Sequence, residues 1–330
     1  MAQESRPKQT LWVRVRFQEE VHVVTMEHTA AQNGLGTQAP PDVANRVAFE
    51  QPHVDVMHGD ARWEIKVHDH GLVALVDSMP RMVPEGQSAD QAIVQAARVS
   101  YGAGTKKINE DRGLIRYLLR HRHTTPFEMV EFKFHMAMPI FVARQWIRHR
   151  TANVNEYSAR YSIVPDRFYR PTPENVRQQS TTNRQGGEET IDIKTAEEFL
   201  ALLEDSEALY ARYLDLTERG VARELARAAL PVSVYTEWYW KCDLHNLLHF
   251  LSLRMDPHAQ REIRDYATAM YQLIQPIVPI TCEAFQDYRM NAMQLTGLEI
   301  ESLRTGEPIA TSNKRETAEW EAKKERLGLS

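Results

Sequence analysis

The sequence predicts an α+β protein in which several helices pack on a small antiparallel sheet. Three observations support this class: an alternating apolar run at 130–138, a strand-turn-strand pattern at 63–76, and helix-period runs through much of the remaining chain. Of the 330 residues, 42% are hydrophobic and 26% are charged, which are ordinary proportions for a folded protein. The composition therefore excludes a chain that is disordered throughout.

Three regions are predicted along the chain. Residues 1–63 show no sustained hydrophobic period, and we expect an N-terminal extension that is partly disordered or forms a strand. Residues 64–303 hold the periodic segments and are predicted to form the main folded domain. Residues 304–330 are mostly charged and are predicted to be an exposed C-terminal tail.

The first elements of the domain follow from local signals. Apolar residues on both sides of His68-Asp69-His70-Gly71 predict two strands joined by a turn. The run Ser88-Ala89-Asp90-Gln91 has a capping-box pattern and predicts a helix that ends near Ser100. A second helix is predicted from about Asp111 to His121.

The segment 130–138 alternates strictly between apolar and other residues. Alternation with a period of two is typical of a half-buried strand, so one face should be buried and the other exposed. Pro139 suits the first turn of a helix, which we expect to continue to Arg150. The predicted strand and helix together would place Arg148-His149-Arg150 at the protein surface.

The second half of the chain is predicted to be mainly helical. Residues 171–192 are polar and are expected to form a mobile loop. Beyond them we predict one long helix stopped by Gly220, a short helix that ends near Pro231, and further helices over 238–254 and 258–275.

Charge and cysteine content limit the function classes. Forty Lys and Arg residues against forty-five Asp and Glu residues give a net charge of −5, which disfavours a dedicated DNA-binding protein. Two cysteines are too few for a disulfide framework, and no run of apolar residues is long enough to cross a membrane. We therefore expect a cytoplasmic protein without a nucleic-acid or membrane partner.

Positive charge is nevertheless concentrated in one segment. Six arginines lie between Pro139 and Arg170, against only Glu156 and Asp166. A single arginine near a helix end most often complements the helix dipole. Several guanidinium groups beside a hydroxyl instead describe a pocket for a phosphoanion, because their planar donor forks suit phosphate.

Glu156, Ser158 and Arg160 add to this hypothesis. If the chain is extended after the helix, a period of two places all three side chains on one side. An acceptor, a hydroxyl and a cation would then face the same ligand.

The common phosphate and metal signatures are missing. The chain contains neither a GxGxxG nor a GxxxxGK[ST] motif, so side chains must hold any nucleotide. His245 and His249 have the spacing of a helical zinc site but lack the glutamate of HExxH, and no metal is expected. Cys242 is predicted to lie buried and inert on an aromatic helix.

Arg148-His149-Arg150, seven further residues and then Ser158 form the pattern RHR-x7-S. This pattern resembles the signature of the flavin-dependent thymidylate synthases, the ThyX family. Four other segments are similar to that family, and the resemblance covers roughly residues 64–300. They are AARVSYG at 96–102, HTTPFE at 123–128, ELARAALP at 224–231 and NLLHFLSLRMDPHAQREIRDYA at 246–267.

The resemblance implies a homotetramer with active sites at subunit interfaces. Such an enzyme binds FAD and makes dTMP from dUMP, with methylenetetrahydrofolate as carbon donor and NADPH as reductant. Carried onto matching positions, it implies FAD contacts by Ser100, His123, Arg148, His149, Arg150, Glu156, Asp243 and His249. It implies dUMP contacts by Gln145, Arg148, Glu156, Ser158, Arg160, Arg227 and Arg254. Asp243 stands where the family often has asparagine.

The same resemblance implies catalysis without a cysteine nucleophile. No cysteine lies in the signature, so hydride from reduced FAD would activate the uracil ring. Arg254, Arg148 and Ser158 are the predicted catalytic contacts. Arg254 would stabilise negative charge on the uracil carbonyls, and Ser158 would act as a binding hydroxyl.

Two other classes of protein remain open at this point. One is a nucleic-acid-binding module that uses the arginines and aromatic residues of 144–170, which the net charge disfavours. The other is a structural oligomer without activity.

Overall fold

The computed structural model describes most of the chain after residue 52. The described residues are 53–54, 61–81, 83, 86–99, 111–180 and 186–329. The chain divides into two compact units, one up to Cys282 and the other from Glu283 onward.

Among the described residues, six antiparallel strands form the main sheet in the order β1-β2-β3-β4-β8-β5. Their bounds are β1 His53–Val54, β2 Ala61–Val67, β3 Gly71–Met79, β4 Glu131–Pro139, β5 Asn153–Glu156 and β8 Tyr235–Asp243. A separate pair consists of β6 Arg177–Gln179 and β7 Gly187–Thr190. The α+β class and the small antiparallel sheet are confirmed.

The helices in the first unit flank these strands along the chain. They are α1 Asp90–Val99, α2 Asp111–Arg120, α3 Ile140–Trp146, α4 Ile193–Glu207, α5 Leu209–Glu218, α6 Arg223–Ala226, α7 Leu244–Arg254, α8 Arg261–Ile274 and α9 Pro279–Phe285, the last of which ends just inside the second unit. Short 3-10 turns at Thr125–Met129 and Arg227–Ala229 precede β4 and follow α6.

The predicted strand-turn-strand is confirmed as β2 and β3. Gly71 begins β3 where the backbone passes close to helix α8. A Cβ atom at this position would lie 2.1 Å from the hydroxyl of Tyr266 and 2.4 Å from the carbonyl oxygen of Val67. Only glycine fits, because either contact is far inside van der Waals distance.

β4 is the centre of the core, as its alternation predicts, but its second face is not solvent-exposed. Phe132, Phe134 and Met136 are fully buried on the apolar face. On the other face, His135 is only 3% exposed, and its Nε2 lies 3.3 Å from Glu237 of β8. Arg62 of β2 lies 2.6 Å from His135 Nδ1, so a polar network covers this half of the strand.

The prediction of a helix over 238–254 is wrong in its first part. Residues Tyr235–Asp243 form β8, which pairs with β4 along its whole length, and only Leu244–Arg254 are helical. Cys242 therefore lies buried on a strand and not on an aromatic helix. The alternating burial of Trp238, Trp240 and Cys242 fits a period of two, which their aromatic neighbours obscure in the sequence.

Three smaller differences concern element limits. Helix α3 ends at Trp146, so Arg148-His149-Arg150 lies beyond the helix. The single long helix predicted before Gly220 is two helices, α4 and α5. The polar segment 171–192, expected to be a loop, contains β6 and β7.

The capping box predicted at Ser88 does not form. Gln91 donates to Asp111 at 2.9 Å, and the Ser88 hydroxyl donates to Asp90 at 3.0 Å. Asp90 in turn accepts from Thr281 Oγ1 at 2.6 Å and from the amide of Ile280 at 2.9 Å. This buried carboxylate therefore links the start of α1 to the start of α9.

β2 begins at Ala61, before the boundary predicted after residue 63. In the second unit, helices α10 Gly297–Thr305 and α11 Lys314–Leu327 form within the segment that includes the predicted tail. Trp320 of α11 is buried, and Lys323 lies 2.7 Å from Glu299. The predicted domain limits at 64 and 303 stay predictions.

Within the described ranges, no helix combines the length and the apolar composition that a membrane crossing needs.

Candidate active site

His149 and Arg254 meet where the chain leaves α3 and where α7 ends. The amide of His149 donates to the carbonyl oxygen of Trp146 at 2.9 Å, and its imidazole lies against α7. There its ring packs edge-on against Phe250, with centroids 4.9 Å apart. The Nε of Arg254 donates to His149 Nε2 at 3.0 Å.

The electrostatics of this pair favour a neutral imidazole. Burial, the Arg254 guanidinium and the nearby His249 together lower the pKa of His149 to about 4. Burial also lowers the pKa of Arg254 from its ordinary value. At neutral pH the pair therefore carries one positive charge, which resides on the arginine.

Arg148 and Arg150 flank this histidine and are both exposed. Within the described part of the chain, neither forms an ion pair with a carboxylate. Two guanidinium groups that have no carboxylate partner among the described residues, next to a neutral imidazole, suit an anionic ligand.

Gln145 lies one turn before His149 and is half-buried. Its Nε2 donates to the side-chain oxygen of Gln260, just before α8. The predicted nucleotide contact is therefore anchored to another helix by its amide nitrogen.

Ser158, Arg160 and Arg227 form a second group of predicted site residues. Arg160 Nε lies 3.4 Å from the carboxylate of Glu224, and Arg227 Nε donates to the carbonyl oxygen of the same residue at 3.3 Å. The amide of Arg160 lies 3.4 Å from Ser158 Oγ. Residues far apart in sequence thus share one surface region around Glu224.

The expectation of an extended chain from 156 to 160 is wrong after Tyr157. The amides of Tyr161 and Ser162 both donate to the carbonyl oxygen of Ser158, at 3.0 and 3.2 Å, which makes a turn. Arg160 reaches its neighbours through this turn and not through strand alternation. Glu156 stays in β5 and accepts from Thr236 Oγ1 at 2.7 Å.

The other residues carried over from the resemblance lie elsewhere or outside the described part. Asp243 is the N-cap of α7 and accepts from the amide and side chain of Asn246, at 2.9 and 2.7 Å. His249 is exposed on α7, with its ring centroid 6.4 Å from that of His149. His123 is exposed beside Tyr117, with ring centroids 5.8 Å apart. Ser100 lies outside the described residues.

Besides Arg160, two more of the six clustered arginines form ion pairs with carboxylates. Arg167 pairs with Glu237, and Arg170 pairs with Glu204 and Glu207. His135 and Arg167 lower the pKa of Glu237 to about 2. These two arginines are committed to carboxylates and are poor candidates for a ligand site.

Sequence reasoning missed Glu224 and Gln260 as parts of the site. Both lie in segments that resemble the family, at 224–231 and 246–267, but no local pattern distinguishes them from solvated polar residues. Their partners Arg160 and Gln145 are many residues away, so only the folded chain reveals the contacts.

Fold and site define an α+β protein that gathers guanidinium, imidazole and amide groups beside an antiparallel sheet. Residues 75–280 match the family described as thymidylate synthase complementing protein. A flavin-dependent thymidylate synthase of Dictyostelium discoideum is 64% identical over 296 residues, which span 89% of this chain and 98% of that protein. The chain belongs to the family of flavin-dependent thymidylate synthases, as its signature indicates.

Two further relatives extend this result. A flavin-dependent thymidylate synthase of Wolbachia pipientis wMel is 55% identical over 240 residues, 72% of this chain and 82% of that protein. The solved structure of the UMP/dUMP methylase PolB from Streptomyces cacaoi, bound with 5-Br UMP, is 37% identical with a TM-score of 0.59. The matched region covers 68% of this chain and 97% of the PolB chain.

Proposed function

We propose that this chain methylates dUMP to dTMP as a homotetramer with active sites at subunit interfaces. It would bind FAD and use methylenetetrahydrofolate as carbon donor and NADPH as reductant. Family membership supports the reaction, and the PolB neighbours, named as UMP/dUMP methylases bound with 5-Br UMP or 5-Br dUMP, support a pyrimidine nucleotide as substrate. The observation that carries the proposal is the meeting of the Arg148-His149-Arg150 run with Arg254.

The residues present fit a flavin cofactor. FAD carries an anionic diphosphate, and the exposed guanidinium groups of Arg148 and Arg150 have no carboxylate partner in the described part of the chain. His149, between them in the sequence, is neutral and packs on Phe250, so it adds an uncharged ring to this group of side chains. His249 lies on the same side of α7 as this histidine and is available to the same ligand.

The phosphate of dUMP would bind near Arg160 and Arg227. Both guanidinium groups are exposed and converge on Glu224, so an arriving phosphate would meet two cations and the Ser158 hydroxyl. Tyr161 and Leu225 nearby expose 73% and 68% of their surfaces, and such apolar exposure supports a site that a second subunit completes.

When bound, reduced flavin supplies the hydride that the reaction requires. The residues of the chain would bind and polarise the nucleotide. Arg254 would donate to a uracil carbonyl oxygen and stabilise the negative charge that develops there. His149 holds the Nε of Arg254, which leaves the terminal nitrogens of the guanidinium group for the ligand.

A cysteine nucleophile does not fit this site. Cys242 and Cys282 are 3% and 0% exposed, and burial raises the pKa of both thiols. Neither residue lies among the arginine groups described above. Activation of the uracil ring by hydride, without a covalent thioether, therefore accords with the structure.

The test combines spectroscopy with turnover. The purified chain should show the visible absorption of bound flavin, oxidise NADPH anaerobically faster with dUMP than without it, and form dTMP when methylenetetrahydrofolate is present. UMP should be assayed in parallel, because the PolB neighbour is named for both nucleotides. Absence of flavin uptake, or tight binding of RNA or DNA in its place, would refute the proposal.

A further inference from the structure

A chain of hydrogen bonds runs behind the predicted nucleotide site, from Gln145 to the interior. Gln145 Nε2 donates to Gln260 Oε1, and Gln260 Nε2 donates to Glu262 Oε2 at 2.8 Å. Glu262 Oε1 accepts from the hydroxyl of Tyr169 at 2.8 Å. Four side chains from three separate parts of the sequence are therefore connected in series.

Chemistry fixes the direction of this chain of bonds. An ionised carboxylate only accepts, so the Gln260 amide must turn its nitrogen toward Glu262. The Gln260 oxygen then faces Gln145 and can only accept, so Gln145 must turn its own nitrogen toward Gln260. The carboxylate thus determines the orientation of two amides whose oxygen and nitrogen are otherwise nearly the same in shape.

Tyr169 strengthens this arrangement at the inner end. Burial, together with the adjacent Glu262 carboxylate, holds the pKa of Tyr169 far above its ordinary value, so the phenol stays protonated and donates. Tyr169 itself is buried and packs edge-on against His68 and tilted against Phe141. Glu262 is therefore held by a rigid donor and keeps its acceptors in place.

Gln145 stands at the end of this hydrogen-bond series that lies at the predicted nucleotide site. With Gln145 Nε2 engaged by Gln260, Gln145 Oε1 is directed elsewhere, and no donor reaches it among the described residues. We propose that Glu262 is a positioning residue that makes Gln145 present a hydrogen-bond acceptor to the pyrimidine nucleotide. This inference rests on the proposed function, because it requires dUMP to bind beside Gln145.

An acceptor at this position has a consequence for selectivity. The neutral groups of dUMP that can donate to it are N3–H of the uracil ring and the 3′-hydroxyl of the sugar. Cytosine carries an acceptor at N3, so an oxygen facing that atom would be repelled and dCMP would be rejected. A 3′-deoxy analogue of dUMP distinguishes the sugar contact from the base contact.

The experiment measures equilibrium binding of dUMP, dCMP and 2′,3′-dideoxy-UMP to the flavin-loaded protein. Glu262→Gln replaces an obligatory acceptor by an amide that can also donate, so both Gln260 and Gln145 can reverse. We expect dUMP to bind about five- to tenfold more weakly, with a raised KM and an unchanged flavin content. Preference for dUMP over dCMP, or over the 3′-deoxy analogue, should fall by a similar factor and identify which donor Gln145 meets.

Three variants separate positioning from a general structural loss. Asp265→Asn removes a carboxylate one turn further along α8 that lies near Arg261 and His68, and it should leave dUMP affinity unchanged. Tyr169→Phe leaves the Glu262 carboxylate in place, so its effect should be about twofold or less. Gln145→Ala should weaken dUMP binding, and adding Glu262→Gln to it should cause no further loss.

The outcomes are distinct. Wild-type affinity in Glu262→Gln, an additive loss in the double variant, or an equal loss in Asp265→Asn would each overturn the positioning role. Failure of the wild-type protein to bind dUMP at all would instead refute the proposed function.

Discussion

The Nε of Arg254 donates a hydrogen bond of 3.0 Å to Nε2 of His149, across 105 positions of the chain. An imidazole nitrogen that accepts a hydrogen bond carries no proton, so this bond selects the neutral tautomer protonated on Nδ1. The pair therefore has defined roles. Arg254 keeps its charge for an anionic ligand, and His149 keeps an N–H donor on the opposite side of its ring.

This pair predicts a specific dependence of stability on pH. The pKa of His149 is lowered in the folded protein from the ordinary 6.5 to about 4, so the unfolded chain binds more protons between these values. The stabilisation that His149 provides to the folded protein is fully present above about pH 6.5, and it is lost as the pH falls toward 4. His149→Asn should reduce this slope in chemical unfolding at pH 7 and pH 5. His258→Asn, at an exposed site, is the control. An unchanged slope in His149→Asn would contradict the neutral assignment.

The two arginine groups should differ in their ligands. Arg148→Ala should weaken both FAD and dUMP, whereas Arg160→Ala should weaken dUMP alone, because Arg160 lies with Arg227 around Glu224. Losing one charge-assisted contact costs about 1.5–3 kcal/mol, which corresponds to roughly ten- to a hundredfold in affinity. Flavin fluorescence and nucleotide titration measure the two ligands separately. Equal loss of FAD in both variants would contradict this division.

Glu224 competes with phosphate for the guanidinium group of Arg160, at 3.4 Å. Both side chains are exposed, so the ion pair is weak, and removing the charge with Glu224→Gln should tighten dUMP binding by about two- to fivefold. The gain should shrink at high salt, because exposed charges are screened. Glu218→Gln, an exposed change on α5, should have no effect. Weaker binding in Glu224→Gln would show that the carboxylate itself holds the nucleotide or positions Arg160.

Catalysis should not require either thiol. Both cysteines are buried, and burial raises their thiol pKa values, so neither forms a thiolate readily. Cys242→Ser with Cys282→Ser should keep most dTMP synthesis, with a loss of stability of about 1 kcal/mol. Intact-mass spectrometry of the wild-type protein with 5-fluoro-dUMP and methylenetetrahydrofolate should show no covalent adduct on cysteine. A folded, flavin-loaded double variant without activity would contradict this prediction and support catalysis by a cysteine nucleophile.

The limits of the N-terminal extension can be set by two deletions. Removing residues 1–52 should leave flavin binding and thermal unfolding unchanged, since the sequence there shows no sustained hydrophobic period. Removing residues 1–63 should lower stability, because it takes Arg62 from its contacts with His135 and Glu64 and shortens β2. Both proteins can be compared by thermal unfolding and size-exclusion chromatography. Identical stability would show that the start of β2 is dispensable.

Local signals were sufficient for much of the fold. The alternation of β4 and the turn between β2 and β3 are properties of short segments, and both are confirmed. The prediction of a helix over 238–243 is wrong, because the aromatic residues of that segment suit either a helix or a strand. Pairing with β4, about a hundred residues earlier, decides for the strand, and no local pattern contains that partner.

For the site, the sequence by itself determined the family and the residue types that could bind an anion, because the RHR-x7-S run is contiguous. Only the tertiary structure decided which of those residues are available. In the folded protein, Arg167 and Arg170 form ion pairs with carboxylates, and Arg254 donates a hydrogen bond to His149. The tertiary structure also links Gln145 through Gln260 to Glu262, which sets the polarity of the amide. The physical reason is that hydrogen bonds and ion pairs depend on distance in space, which the order of residues along the chain does not specify.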